Sequence, residues 1–115
     1  MGLGVKFKVW ITYNGRSIMG PGGRDLLMKI AEKGSISSAS RELNLSYRFA
    51  WQYITRIEKV LGRDVILKKR GGRGGGGTYV EGKFIEIIKL YDEMEEKIRE
   101  IASKYEEKMN EVLMG

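Results

Sequence analysis

The sequence predicts an α+β fold, and three observations support this prediction. A period-two apolar pattern over residues 5–11 is followed by Asn14-Gly15, and this dipeptide favours the φ > 0 turn of a β-hairpin. Two short helical segments then meet at Asn44, as in a helix-turn-helix. A basic strand finally runs into the glycine-rich residues 71–77, which is typical of a hairpin tip, or wing. Together these elements predict a winged helix-turn-helix with an N-terminal β-hairpin and a long C-terminal helix.

Composition limits the class of protein. The 115 residues are 42% apolar and 31% charged, which fits one soluble globular domain. The chain has no cysteine and no histidine, so the usual zinc sites, thiol chemistry and imidazole catalysis are excluded. We therefore expect no enzyme, no metal and no cofactor. No apolar run approaches the ~20 residues of a membrane span and no secretory signal opens the chain, so we expect a cytoplasmic location and no membrane partner.

Charge is distributed unevenly along the chain. Residues 1–80 contain 15 Lys and Arg against 5 Asp and Glu, a net charge of +10. Residues 81–115 contain 6 against 10, a net charge of −4. This segregation predicts that the first two thirds meet a polyanion and that the last third has another role.

The first predicted elements are a hairpin over residues 5–19 and a helix. Apolar side chains alternate in the first strand, and residues 16–19 form the returning strand. The helix is expected from about residue 24 to residue 33, ended by Gly34. Its inward face is expected to consist of Leu26, Leu27, Ile30 and Ala31.

The helix-turn-helix is predicted over residues 35–61. Ser35 caps the first of its helices, which turns its Ala39 and Leu43 inward, and Asn44 tolerates the left-handed turn. Ser46 caps the second helix, which runs from about residue 47 to residue 61 and ends at Gly62. The buried stripe of this helix is expected to be Ala50, Ile54, Ile57 and Leu61.

The opposite face of that helix is the candidate DNA-reading surface, because a helix-turn-helix places the start of its second helix in the major groove. Arginine binds guanine edges or phosphates and glutamine pairs with adenine. The predicted contacts are Ser46, Tyr47, Arg48, Trp51, Gln52, Thr55 and Arg56. Ser35, Ser37 and Ser38 at the preceding helix start fit phosphate binding, although a capping role alone explains each of them equally well. Phe49 and Tyr53 are expected to pack against neighbouring elements, and for Trp51 the sequence favours core packing and DNA contact equally.

The wing is predicted over residues 65–80, and the alternative is that its glycine-rich stretch is a disordered loop. Lys68, Lys69, Arg70 and Arg73 are expected to contact phosphates rather than bases. Residues 72–77 formally match a dinucleotide-binding fingerprint, but a run that is nearly all glycine satisfies many such motifs and the chain has no room for repeated βαβ units. Two interpretations fit residues 78–81: a capping box that opens the last helix, or a short return strand at Tyr79-Val80.

Residues 81–115 are predicted to form a long helix with a heptad seam. The apolar positions recur in steps of three and four, as in a coiled coil. They are Phe84, Ile87, Tyr91, Met94, Ile98, Ile101 and Tyr105. The helix either folds back on its own domain or forms a homodimer. We favour the homodimer, because the seam is longer than a domain of this size covers.

Four segments, in this order, resemble the N-terminal domain of the molybdate-responsive transcriptional regulators, the ModE family, which is related to the winged helix-turn-helix of LysR-type regulators. They are Gly20-Pro21-Gly22-Gly23-Arg24, residues 34–39, residues 46–51 and residues 71–77. The resemblance covers about residues 18–95. It implies a domain that dimerises through a long helix, regulates transcription and places the helix opened by Ser46 in the major groove.

This sequence departs from the family in two respects. Full-length members carry a C-terminal domain that binds molybdate, and the sequence ends where that domain would begin, so molybdate sensing is not carried over. The segment from Thr78 to Gly82 replaces the usual leucine-threonine-x-x-glycine. The sequence therefore predicts a homodimeric, sequence-specific regulator that binds double-stranded DNA. The alternatives are a non-specific architectural DNA-binding protein and a winged-helix module for protein interaction.

Overall fold

The computed structural model describes residues 2–69 and 77–115, and it contains two small sheets and four helices in these ranges. The strands are β1 (Ile11–Tyr13), β2 (Arg16–Met19), β3 (Ile66–Lys69) and β4 (Gly77–Val80). The helices are α1 (Pro21–Lys33), α2 (Ile36–Glu42), α3 (Tyr47–Leu61) and α4 (Gly82–Met114). The winged helix-turn-helix arrangement predicted from the sequence is confirmed.

The N-terminal hairpin is shorter than predicted. β1 and β2 pair antiparallel around Asn14 and Gly15, whose φ angles of 50° and 82° suit a tight hairpin turn. The first strand begins at Ile11 rather than at Val5, so the predicted span of 5–19 was wrong at its start.

Residues 2–10 instead lie along α4. The Leu3 N–H donates to Asn110 Oδ1 at 2.8 Å, and the Leu3 carbonyl accepts from Asn110 Nδ2 at 3.0 Å. Closer to the body, the Tyr91 hydroxyl donates to the Val9 carbonyl at 2.9 Å. The period-two pattern is explained by this packing: Phe7 and Val9 are half-buried while Lys6 and Lys8 are exposed.

Helix α1 begins three residues earlier than predicted, because Pro21 occupies its first turn with a φ that is already set for a helix. It ends at Gly34, whose φ is 69° and whose N–H donates to the Ile30 carbonyl at 2.8 Å. Three of the four predicted inward residues are buried. Ala31 is exposed, so its assignment to the core was wrong; it lies at the edge of the buried face, where no element of the described ranges covers it.

The helix-turn-helix follows the prediction closely. Ser35 and Ser46 cap α2 and α3 as expected, and Gly62 ends α3 in the left-handed conformation with φ of 70°. Asn44, with φ of 56°, makes the turn between the two helices. Ala39, Ala50, Ile54 and Ile57 are fully buried, and Leu43 and Leu61 pack at the edge of the core.

Strands β3 and β4 form the wing, with Ile66 opposite Val80 and Lys69 opposite Gly77. The return-strand interpretation of residues 79–80 is therefore correct and the capping box at Thr78 was wrong. Glu81 caps α4 instead, since its own carboxylate accepts from the N–H groups of Lys83 and Phe84. The Thr78 N–H donates to the Gly34 carbonyl at 2.9 Å, which joins the wing to the end of α1.

Only the first third of α4 belongs to the compact body. Phe84, Ile88 and Tyr91 are buried in the core between α1 and the hairpin. The helix has 33 residues, which corresponds to a length of about 50 Å, and the chain measures 66 × 31 × 23 Å. The rest of α4, accompanied by residues 2–9, therefore projects from the body as an arm. Within the described ranges no helix is long and apolar enough to span a membrane.

Candidate nucleic-acid interface

The first turns of α3 present an exposed group of aromatic and polar side chains. Ser46 Oγ accepts the Phe49 N–H at 3.0 Å, so this oxygen is used to cap the helix. Tyr47 is 55% exposed and Trp51 is 43% exposed, with Arg48 and Gln52 exposed beside them. These four side chains have no hydrogen-bond partner among the described side chains, so they are available to a ligand.

Thr55 and Arg56, which were predicted to contact DNA, are engaged within the chain. The Thr55 hydroxyl donates to the Trp51 carbonyl at 2.8 Å, one turn back along the helix. Arg56 Nη1 donates to the Ser17 carbonyl at 2.6 Å, and its guanidinium lies 5.3 Å from the centroid of the Tyr53 ring. Arg56 thus fastens α3 to β2, and its side chain is exposed with N–H groups that this bond does not use.

Close packing fixes the position of α3. Its buried stripe enters the core, and the Tyr53 hydroxyl donates to the Ile18 carbonyl at 3.4 Å. The phenol of Tyr53 lies so close to Gly23 that any Cβ at residue 23 would collide with it. The exposed side chains of α3 are therefore displayed on a rigid support, which favours defined contacts with a ligand.

The start of α2 uses its serines mainly for local bonds. Ser35 Oγ accepts the Ser38 N–H at 3.1 Å, and Ser37 Oγ accepts a long bond of 3.5 Å from Arg41. Ser37 is exposed, whereas Ser35 and Ser38 are half-buried. The sequence did not single out Ser40, which is buried and donates to the Ser37 carbonyl at 2.9 Å. Capping accounts for Ser35, and Ser37 is the most accessible of the three predicted contacts.

The wing carries Lys68 and Lys69, both exposed on β3. The ammonium of Lys69 lies 5.6 Å from the centroid of the Tyr79 ring across the hairpin. Arg70 and Arg73, the other two predicted wing contacts, lie outside the described residues. Two of the four predicted wing contacts, Lys68 and Lys69, therefore lie exposed on β3.

A carboxylate anchors the base of the wing to α3. Glu58 Oε2 accepts the N–H groups of Val65 and Ile66 at 2.9 and 3.1 Å. On the other strand, the Glu81 N–H donates to the Val65 carbonyl at 2.8 Å. The position of the wing relative to the recognition helix is therefore set by hydrogen bonds, and nothing in the sequence marked Glu58 for this role.

Three cations of the candidate surface have no carboxylate partner within the described part of the chain. Among the described residues, Arg48, Lys68 and Lys69 form no salt bridge, whereas Lys29 and Lys33 both pair with Glu42. An unpaired cation retains its full charge for a phosphate, while a paired one must first lose its partner. Arg48, Lys68 and Lys69 can therefore bind a polyanion without the loss of an ion pair.

Two exposed side chains of α3 were missed as candidate contacts. Phe49 is 52% exposed, and its ring lies 6.5 Å from that of Tyr53, so it is less buried than the sequence predicted. Lys59 is exposed near the C-terminal end of the helix. The helical period provided a signal for Phe49, which lies about 140° around the helix from the buried Ile54.

The seam predicted on α4 is divided between two faces. Phe84 and Tyr91 are buried in the core of this chain, Ile98 is half-buried, and Ile87, Met94, Ile101 and Tyr105 are exposed. Leu90 and Val112, which were outside the predicted seam, are also exposed. The exposed stripe, defined here as Ile87, Leu90, Met94, Ile101, Tyr105 and Val112, lies about a third of a turn from the buried Ile88. Within the described residues nothing covers it.

Tyr91 joins the core, the N-terminal segment and the arm. Its hydroxyl is bonded to the Val9 carbonyl, and its side chain is 1% exposed. Burial raises the pKa of Tyr91 to about 12, and the nearby Glu95 carboxylate adds to the increase. The phenol is therefore neutral at physiological pH and can donate its hydrogen bond.

Comparison with known proteins agrees with this geometry. Residues 25–76 match the family described as bacterial regulatory helix-turn-helix protein, lysR family. This segment extends from the first turn of α1 to the wing and contains the whole helix-turn-helix.

Curated relatives are similar over a longer stretch. The molybdenum-pterin-binding protein MopB of Rhodobacter capsulatus is 34% identical over 94 residues, which cover 78% of this chain and 35% of that protein. The molybdenum transport protein ModE of Azotobacter vinelandii is 31% identical over 90 residues, covering 78% and 33%. The DNA-binding transcriptional dual regulator ModE of Escherichia coli is 34% identical over 67 residues, covering 58% and 26%.

The chain spans about a third or less of the length of these relatives. The resemblance to molybdate-responsive regulators predicted from the sequence is confirmed. None of the three names is that of an enzyme, in agreement with the prediction that the chain catalyses no reaction.

Proposed function

We propose that this chain regulates transcription by binding double-stranded DNA in a sequence-specific manner as a homodimer. The match of residues 25–76 to bacterial regulatory helix-turn-helix proteins of the lysR family supports this proposal. The first turns of α3 enter the major groove, and the wing lies against the neighbouring phosphates.

One observation carries this proposal: Tyr47, Arg48, Trp51 and Gln52 are exposed together at the start of a rigidly held helix. Such a group combines a guanidinium for guanine or phosphate with an amide suited to adenine. Trp51 and Tyr47 add apolar surface of the kind that contacts thymine methyl groups and sugars. This mixture favours base reading over purely electrostatic binding.

The exposed stripe of α4 supports the homodimer. Its six apolar side chains recur at helical spacing along α4, on a face that no other described residue covers. At roughly 90 Å² each they offer roughly 500 Å², and the stems of flanking lysines bring the total towards the ~800 Å² per partner of a stable interface. A second copy of the arm supplies a matching apolar surface, since a twofold interface uses the same residues on both sides.

Arg48→Ala tests the DNA-binding surface directly. We expect the affinity for a selected DNA site to fall at least tenfold, because a lost bidentate base contact costs about 1–3 kcal/mol and a lost phosphate contact reduces the salt dependence by about one unit. Fluorescence anisotropy at several salt concentrations measures both quantities.

Arg99→Ala is the matched control, since it removes the same charge from α4, where Arg99 pairs with Glu96 at 3.0 Å. Equal losses for Arg48→Ala and Arg99→Ala would mean that only net charge matters and would contradict the proposed surface. Binding that is steeply salt-dependent but indifferent to sequence would favour an architectural role instead.

Sedimentation equilibrium tests the homodimer. The double substitution Met94→Glu with Ile101→Glu should yield monomers.

A further inference from the structure

A bidentate ion pair joins the DNA-binding body to the arm. Arg24 Nε donates to Asp92 Oδ1 at 2.8 Å, and Arg24 Nη2 donates to Asp92 Oδ2 at 2.7 Å. Arg24 lies in the first turn of α1 and Asp92 lies on α4, 68 positions later. The planar fork of arginine matches a carboxylate in one orientation only, so this pair fixes an angle as well as a distance.

The position of Arg24 is electrostatically unfavourable without its partner. The N-terminal end of a helix carries partial positive charge, which disfavours a cation there. Hydrogen bonding to Asp92 raises the pKa of Arg24, and Asp25, at 3.2 Å, adds to the increase. Both side chains of the Arg24–Asp92 pair are about a third exposed, so the pair is accessible to water at one edge.

The pair lies where α4 leaves the body. Phe84, Ile88 and Tyr91 are the buried residues of α4, and Asp92 follows the last of them. Beyond this point residues 2–9 pack along α4, and the bond between Val9 and Tyr91 ties this segment to the body. Among the described residues, Arg24–Asp92 is also the ion pair that connects α1 to α4. The core packing of Phe84, Ile88 and Tyr91 sets the general direction of α4, and the Arg24–Asp92 pair adds an orientation-specific contact at the point where the arm begins.

The direction of the arm has a consequence for DNA reading. In a dimer joined through the arms, this direction sets the separation and rotation of the two α3 helices. Half-sites one helical turn apart require about 34–36 Å between the two helices, and each additional base pair turns a half-site by about 35°. A small change in the angle of the arm therefore alters which half-site spacing fits.

We propose that Arg24 and Asp92 are positioning residues that set the half-site spacing read by the dimer. This inference rests on the proposed dimeric DNA binding, but the orientation of the arm is measurable without DNA. The pair acts through the arm and touches no base.

The first experiment measures the arm directly. The natural chain has no cysteine, so Lys59→Cys and Lys104→Cys provide two unique spin-label sites, one on α3 and one on the arm. Labelled chains diluted with unlabelled ones give the distance within one copy by pulsed electron paramagnetic resonance. We expect a narrow distribution for the parent and a clearly broader or shifted one for Asp92→Asn. The charge swap Arg24→Asp with Asp92→Arg should restore a narrow distribution.

The second experiment measures spacing discrimination, which is the ratio of affinities for the selected site and for the same site with one base pair inserted. We expect at least tenfold discrimination in the parent, less than about threefold in Asp92→Asn, and recovery in the charge swap. Glu42→Gln is the matched control, because Glu42 pairs with Lys33 at 3.3 Å between α1 and α2 and does not involve α4. It should behave as the parent.

Unchanged discrimination in Asp92→Asn would overturn the inference, and so would a loss that the charge swap fails to restore. A broader distance distribution in Asp92→Asn together with unchanged spacing discrimination would also contradict it. If Asp92→Asn does not fold, Arg24→Lys keeps the charge, removes the fork and should show the same loss. A parent that does not dimerise or bind DNA contradicts the proposed function instead, while the spin-label distances still test whether the pair orients the arm.

Discussion

Glu58→Ala is expected to loosen the base of the wing and to destabilise the whole domain. The Glu58 carboxylate accepts two backbone N–H groups, those of Val65 and Ile66, at 2.9 and 3.1 Å. The backbone carbonyl of the same residue accepts from Gly62 at 2.8 Å. The side chain and the main chain of Glu58 thus both stabilise the loop that connects α3 to β3.

The magnitude follows from the number and type of these bonds. A hydrogen bond to a charged group contributes about 1.5–3 kcal/mol when buried, and partial access of water reduces this figure. Val65 is 1% exposed and its N–H has few alternatives, whereas Ile66 is half-buried. We therefore expect the free energy of unfolding to fall by about 2–3 kcal/mol, or Tm by roughly 10 °C. Glu58→Gln keeps a weaker acceptor and should lose about half as much.

Urea unfolding followed by circular dichroism measures this loss, at one fixed protein concentration because a dimer would make stability depend on concentration. Glu107→Ala is the control, since Glu107 is exposed on the arm and its removal should change stability by less than about 0.5 kcal/mol. A loss in Glu58→Ala no larger than in this control would refute the assigned role of the carboxylate. DNA affinity should also fall in Glu58→Ala, because the wing loses its fixed position beside α3.

Three further substitutions probe the body and the arm. Gly23→Ala should destabilise the domain by about 1–3 kcal/mol in denaturant unfolding, because its Cβ meets the Tyr53 phenol and this clash outweighs the better helix propensity of alanine. Adding Tyr53→Phe to Gly23→Ala should recover part of the lost stability. Asn44→Val should cost about 1–2 kcal/mol at a φ of 56°, whereas Asn44→Gly should be close to neutral by the same measurement. Tyr91→Phe should cost about 1 kcal/mol at pH 8, when the hydrogen bond to Val9 is lost. The folded pKa of Tyr91 is about 12 against an ordinary value of 10, so the stability of the parent falls as the pH rises from 10 through 12. In alkaline unfolding experiments the advantage of the parent over the variant should therefore shrink above pH 10 and then reverse, because ionisation of the buried phenol costs more than its hydrogen bond contributes.

Local signals predicted most of the fold, and long-range contacts account for the errors. Caps and stop residues such as Ser46 and Gly62 act within one helical turn, so the bounds of α3 could be predicted from the sequence. The alternation of residues 5–11 correctly indicated one half-buried face. Its partner is a helix nearly a hundred residues away rather than a strand, and period-two patterning does not distinguish these surfaces.

The sequence predicted where the candidate site lies, but not which of its side chains form hydrogen bonds within the chain. Tyr47 and Arg48 follow a capping serine, and their exposure could be inferred from the helical period. The bond between Arg56 and the Ser17 carbonyl depends on where the hairpin lies, which the sequence does not encode locally. In the sequence, Glu58 and Asp92 cannot be distinguished from ordinary surface acids. Their roles depend on partners in the wing and on α1, which only the folded structure brings close. Likewise, a heptad pattern cannot show which of its positions the body covers.

Selection of random double-stranded DNA by the parent chain, at about 150 mM salt, tests the central claim most directly. The account predicts enrichment of an inverted repeat whose half-sites lie about one helical turn apart, bound by two copies of the chain. The enriched sequence should lose its advantage when Arg48→Ala replaces the parent. Recovery of no preferred sequence, or of a single half-site bound by one copy, would contradict it.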